Sequence, residues 1–247
     1  MKTRQLLRTA LLLVAFTLLT SRLTGQVTSF SDVQYWTGSG TNESVMILNW
    51  NDSLAPQSLA WGYRWNGTAS AADMLTAIVV ADTRLYSRME TTGFGLTLYG
   101  LGYDRDNDGT FGISDGTVFD SNGIANTTFG DGPPGFTAPT ATDLSDHYKE
   151  GWWTGFWGFF NGVGNPMSGG SWTVAGVGLS DHTLTSGNWE SLGFDQDFSF
   201  DGADAPTVAT AAAVPEPRTT VLTGLAAALL CLRKMRGRAK AVREGGL

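Results

Sequence analysis

The chain has 247 residues, enough for one domain of ordinary size plus appendages, and carries 16 basic and 23 acidic side chains. Charge is unevenly spread. Residues 1–25 hold four basic groups and no acid, and residues 215–247 hold seven basic and two acidic groups, which leaves five basic and 21 acidic residues in 26–214. A middle this anionic repels phosphate and excludes nucleic acid as a partner. Its single cysteine, Cys231, lies near the C-terminus, so the central domain relies on burial and not on disulfides.

Residues 1–25, MKTRQLLRTALLLVAFTLLTSRLTG, have the parts of a secretory signal. Lys2, Arg4 and Arg8 precede an apolar stretch from Ala10 to Leu19, and small or polar residues follow. Ten helical residues span roughly 15 Å, about half a bilayer core, which suits a signal better than a permanent span.

In the central domain SLAWGYRW (58–65) reads as a strand ending in an Asn66-Gly67 turn. The next segment predicts the one main helix, about 70–89. Leu75, Ile78, Val79, Leu85, Tyr86 and Met89 would share its apolar face, and Arg84 and Arg88 its wetter side. Ser70 and Asp73 have the spacing of a capping box. VMILNW, FGLTLYGLGY, GTVFD, SWTVAGVGL and FDQDFSF are short β-favouring runs punctuated by Gly and Asn. The expected fold class is α+β: a β-rich antiparallel sheet domain with one main helix, flanked by an N-terminal signal helix and a C-terminal hydrophobic helix.

The strongest chemical motif is DRDNDGTFGISD, residues 104–115. Asp104, Asp106 and Asp108 occupy alternate positions, Gly109 supplies a sharp turn, Thr110 offers a carbonyl oxygen and Asp115 falls at position 12 of a calcium loop. Three crowded carboxylates repel one another unless a hard cation sits among them, which points to Ca²⁺ in a structural role, with a merely solvated acidic turn as the alternative reading. The loop resembles the dockerin variety, in which Asp closes the loop. Here a glycine-rich strand precedes it instead of an entering helix.

The densest aromatic stretch, EGWWTGFWGFFNG (150–162), reads as a doubly covered central strand. Trp152, Trp153 and Trp157, with Trp172 and Trp189, form the alternative candidate: a wall of rings on which a sugar or flat small molecule stacks. The pattern is loosely similar to the C-terminal domain of transcobalamin-type corrinoid carriers, and that resemblance implies at most a ligand-binding module. The two histidines, His147 and His182, each follow an Asp, but no nucleophile elbow, phosphate loop or zinc motif accompanies them. The residues favour a protein that is not an enzyme, with a matrix hydrolase as the remote alternative.

DGADAPTVATAAA ends the acidic part, and 203–214 reads as an Ala/Thr/Pro tether that bounds a domain of 26–202. Then come Pro215-Glu216-Pro217, an uncharged apolar run from Thr219 to Leu232, and Arg233, Lys234 and Arg236 at the head of a basic cluster. Fourteen helical residues reach roughly 21 Å, and the positive flank stays in the cytoplasm, placing the acidic domain on the other side. This order resembles the PEP-CTERM sorting signal of Gram-negative bacteria over about the last 35 residues. The resemblance implies recognition by the membrane enzyme exosortase, cleavage near Pro-Glu-Pro, transient residence in the inner membrane, and delivery to the cell surface or exopolysaccharide matrix.

Overall fold

The computed structural model describes residues 25–93, 95–126, 137–151, 155–197, 199 and 203–214. The signal segment, Trp152 and Trp153, and everything from Pro215 onward, with the expected 219–232 helix and the sorting residues Pro215, Glu216, Pro217, Arg233, Lys234 and Arg236, lie outside the described residues. Among the described residues no helix is long and apolar enough to cross a membrane.

Two sheets and one helix organise the described chain. The strands are β1 (Trp36–Gly38), β2 (Asn42–Asn49), β3 (Ser58–Trp65), β4 (Leu85–Thr92), β5 (Gly95–Tyr103), β6 (Ile124–Ala125), β7 (His147–Glu150), β8 (Phe156–Val163), β9 (Ser171–Val174), β10 (Trp189–Asp195) and β11 (Thr210–Ala211), with α1 at Ala71–Ala81. The larger sheet runs β1-β3-β2-β10-β8-β9, with β11 also on β3, and the smaller runs β6-β4-β5-β7. The β-rich α+β expectation holds, but the sheets are mixed and not antiparallel throughout. β10 pairs with β2 in parallel, as do β1 and β11 with β3 and β6 with β4. Within the larger sheet, β2 is buried along most of its length and β10 along all of it, because both faces of the sheet are covered.

One core lies on the inner face of the larger sheet, where Met46, Leu48, Trp61, Leu192 and Phe194 meet α1 and the inner residues Leu85, Leu98 and Leu101 of the smaller sheet. A second covers the opposite face, around Val45, Ile47, Ala60 and Trp189. A third, small cluster of Ile113, Ala141 and Tyr148 with Phe111 and Phe119 holds the acidic loop against the smaller sheet.

The helix starts as expected. Asp73 N donates to Ser70 Oγ at 3.1 Å and Ser70 N to Asp73 Oδ2 at 2.8 Å. It stops eight residues earlier than the pattern predicts. Asp82 leaves helical geometry, and its carboxylate accepts from Trp61 Nε1 (3.0 Å), Arg84 N (3.1 Å) and Arg84 Nε (3.2 Å). Residues 85–92 are strand, with Leu85 and Met89 still inward at period 2. Arg84 and Arg88, expected on the wet side, are 9% and 2% exposed. Pairing with β5 overrides a local pattern that suits helix and strand alike.

Other local readings change as well. GTVFD forms no strand, SWTVAGVGL only Ser171–Val174, and among the described residues FDQDFSF adds no strand past Asp195. The 150–162 stretch passes from β7 in one sheet to β8 in the other, so it is no single central strand.

The segment 203–213 is not a tether. Ala205, Ala209, Ala211 and Ala212 are buried, β11 pairs with β3, and Ala212 N donates to Ala60 O at 2.9 Å. Alanine is small enough to lie against a sheet without a cavity, so a composition typical of linkers serves here as an edge strand. The start of the folded unit joins it: Gln26 bridges Thr210, and Val27 N donates to Ala209 O at 2.8 Å. The folded unit therefore runs to Ala213. Four buried methyls at about 0.8 kcal/mol each contribute roughly 3 kcal/mol. A chain ending after Asp204 should thus melt several degrees below one ending after Ala213, as read by calorimetry.

Candidate metal centre

Strand β5 ends where the acidic loop begins. Asp104, Asp106 and Asp108 each bring one carboxylate oxygen within 4.8 Å of the others. The loop is wound by its own backbone. Gly109 N donates to Asp104 Oδ2 (3.0 Å), Asp108 N to Asp106 Oδ1 (3.1 Å) and Thr110 N to Asp108 Oδ1 (2.7 Å). Asn107 and Gly109 take φ of 60° and 84°, a left-handed conformation that Asn and Gly tolerate. Thr110 turns its hydroxyl onto Asp108 Oδ1 at 2.6 Å, which leaves its carbonyl as the oxygen it can offer.

Asp106 and Asp108 are exposed, but Asp104 is 2% exposed, and no hydrogen bond closes onto its Oδ1. Buried carboxylate oxygens are rarely left in that state. Burial raises the Asp104 pKa. The Gly109 and Asn107 amides oppose the rise, and Asp108 and Asp106 add to it.

Asp115, the expected twelfth-position ligand, is engaged elsewhere. Its Oδ2 lies 2.5 Å from a terminal nitrogen of Arg88, whose other terminal nitrogen bonds both oxygens of Glu150 at 2.8 and 2.9 Å. Thr117 and Tyr148 complete the group, the first accepting from Arg88 and the second donating to Glu150. Burial disfavours the Arg88 charge, while Tyr148, Glu150 and Asp115 raise its pKa and keep it a cation. Gly100 makes the arrangement possible. It stands between Arg88 and Glu150 across three strands, and a Cβ there would meet the Tyr148 hydroxyl at 2.5 Å. Gly102 leaves the same kind of gap for the Phe111 ring, which stacks on Tyr86 at 4.1 Å.

A second segment reaches the loop from 143–146. Ser145 Oγ bonds Asp106 Oδ2 (3.1 Å) and Asp143 Oδ1 (2.7 Å), and Asp146 Oδ1 accepts from Arg105 N (2.9 Å). Asp146 is 4% exposed, and its pKa is pushed up to about 6, chiefly by burial and then by Asp104, Asp106 and Asp143. Nothing in its local sequence marks this aspartate as a neighbour of the acidic loop.

Of the candidate tryptophans, the three among the described residues do not form one wall. Trp157 is buried in the inner core, with Nε1 donating to Lys149 O, whereas Trp189 is buried on the opposite face of the larger sheet, edge-on to Phe30. Half-buried Trp172 shares that face and donates to Pro206 O at 2.8 Å. Alternation along β8 and β10 sends rings to different layers. A shallow cleft of about 620 Å³ beside Tyr63, Trp65 and Asp73 has Trp65 only 5% exposed, so this tryptophan offers no broad open ring to a sugar.

No family model matches this chain, and neither does any curated protein or solved structure. The site must be read from its own chemistry.

Neither histidine pairs with the aspartate beside it in sequence. His147 Nδ1 is 2.8 Å from Asp52 Oδ2, and its ring stacks on Trp50 at 4.6 Å. His182 Nε2 is 3.2 Å from Oε1 of Glu190, a fully buried carboxyl whose pKa burial pushes up to about 8. Both are interior contacts without an adjacent serine or thiol nucleophile among the described hydrogen bonds. Sequence reasoning missed them because their partners lie 95 and eight residues away.

Proposed function

We propose that this chain is an exported cell-surface or exopolysaccharide-matrix protein, structural or adhesive and not an enzyme. Its acidic domain is stiffened by Ca²⁺ and sorted by its PEP-CTERM-like tail. In this reading the tail holds the protein in the inner membrane until an exosortase-type enzyme cuts near Pro215-Glu216-Pro217.

The observation that carries the reading is where the fold closes. Its last paired segment ends at Ala213, two residues before Pro215, and its first bridged residue, Gln26, follows the signal-like segment and pairs with Thr210. Both candidate address segments therefore leave from one edge of a sheet, and removing either costs no described core residue. Calcium fits the same destination, since exterior fluids supply it, and the Asp104, Asp106 and Asp108 oxygens are the hard donors it prefers.

The intact mass of the protein recovered from its own cells tests this. The expected product lacks the first ~25 residues and the segment beyond Pro215. A soluble cytosolic product with both ends retained would refute it. Binding of sugars by the tryptophans is the weaker reading, because the described rings sit in separate layers.

A further inference from the structure

We propose that the cation site is assembled from two segments, with Asp146 as a ligand beside Asp104, Asp106 and Asp108, and with Asp115 left to Arg88. The proposal deepens the calcium reading above and rests on it.

Strand register supplies the first argument. Strands β5 and β7 pair Gly100 with Glu150, Leu101 with Lys149, Gly102 with Tyr148 and Tyr103 with His147. One step further along both chains stand Asp104 and Asp146. Both are buried, at 2% and 4% exposure, and like charges placed opposite each other at the end of a ladder are destabilising unless something positive lies between them.

The second argument is the state of their oxygens. Asp104 belongs to the group of three carboxylates, and its buried Oδ1 accepts no hydrogen bond. Asp146 commits Oδ1 to the Arg105 amide, and its other oxygen makes no hydrogen bond among the described residues. A buried carboxylate oxygen without a donor, on a strand end opposite a second buried carboxylate, is an arrangement that a divalent cation satisfies.

Availability is the third. The linear twelve-residue loop assigns its closing ligand to Asp115, but that carboxylate is held by Arg88 and by Thr117 N at 3.0 Å. Moving it to the metal would strip a buried guanidinium of one partner. Asp146 stands outside the three carboxylates already within 4.8 Å of one another and must swing toward them on binding, but that movement breaks no ion pair among the described residues. Its segment is already fastened to the loop through Ser145 Oγ on Asp106 and through Arg105, which donates to Ser145 O and to Ala55 O (2.8 Å). Four carboxylates, the Thr110 carbonyl and water make up the six to eight oxygens that Ca²⁺ takes.

Calorimetric titration of the full-length protein in detergent with CaCl₂ decides the matter, using D106N, D146N and D115N. We expect D106N and D146N to weaken Ca²⁺ binding at least tenfold and D115N to change it less than twofold. D146N should also raise the melting temperature without calcium, since the opposed charge is gone. Loss in D106N with D146N unaffected, or loss in D115N as large as in D106N, overturns the two-segment site and leaves the calcium reading standing. A wild-type protein that takes up no Ca²⁺ overturns both. Should D146N not fold, the wild-type side-chain carboxyl ¹³C resonances serve instead. On Ca²⁺ saturation, Asp146 must shift with Asp104, Asp106 and Asp108 while Asp115 stays; a stationary Asp146 refutes the assignment.

Discussion

Arg88→Met should lower the unfolding free energy by about 3–5 kcal/mol, the usual cost of removing one partner from a buried ion pair. Glu150 has no exposed side-chain area and Asp115 is 30% exposed, so the substitution leaves one carboxylate sealed away from water and another partly so. The apolar stem of methionine replaces most of the lost packing, so the loss reports charge and not cavity. Urea unfolding followed by tryptophan fluorescence gives the number. The double variant R88M/E150L should recover much of it, because removing both charges also removes their desolvation. Arg88→Lys should fall between, since a point charge cannot bond both Glu150 oxygens and reach Asp115 together. Equal stability of R88M and wild type would mean that the pair holds nothing together.

Glu190→Gln should stabilise the protein at alkaline pH and leave it nearly unchanged near pH 5. Glu190 lies on the inner face of β10 with His182 Nε2 against one oxygen, while its other oxygen and Oδ1 of Asn161, its cross-strand neighbour, have no partner. A proton on the carboxyl removes the buried charge and turns the unpartnered oxygen into a donor. Burial likewise lowers the His182 pKa, so the contact joins two neutral groups rather than an ion pair. The folded pKa, about 8, lies above the ordinary 4.5. Between those values the folded state holds a proton that the unfolded chain has released. Stability therefore falls as pH rises through that window, by up to about 1.4 kcal/mol per unit, and levels off above it. Glutamine carries its donor at every pH, so the gain over wild type should grow with pH to on the order of 5 kcal/mol. Melting curves of the two proteins from pH 5 to 9 provide the check. Parallel curves would show that Glu190 ionises freely in the fold.

Short-range order was legible in the sequence to the extent that its cause is short-range. The Ser70–Asp73 box caps the helix because the two residues are three apart, and the loop from Asp104 winds because Asx turns and Gly109 act within six residues. Most of β2 is buried on both faces, as its unbroken apolar run requires.

The main departures come from partners that the local pattern does not contain. The predicted helix ends at Asp82 because Trp61 and Arg84 claim its carboxylate and β5 pairs with residues 85–92. Arg88 is buried because Glu150, 62 residues on, neutralises it across a glycine gap. The alanines before Pro215 form an edge strand because β3 offers them an unpaired edge. The sequence by itself determined the acidic character, the helix cap, the loop of three aspartates and the charged, greasy ends. Only the tertiary structure decided which carboxylates cluster together, which face an arginine and which are buried with a raised pKa. The reason is physical: the cost of burying a charge depends on what lies within a few ångströms, and chain folding, not chain order, chooses those neighbours.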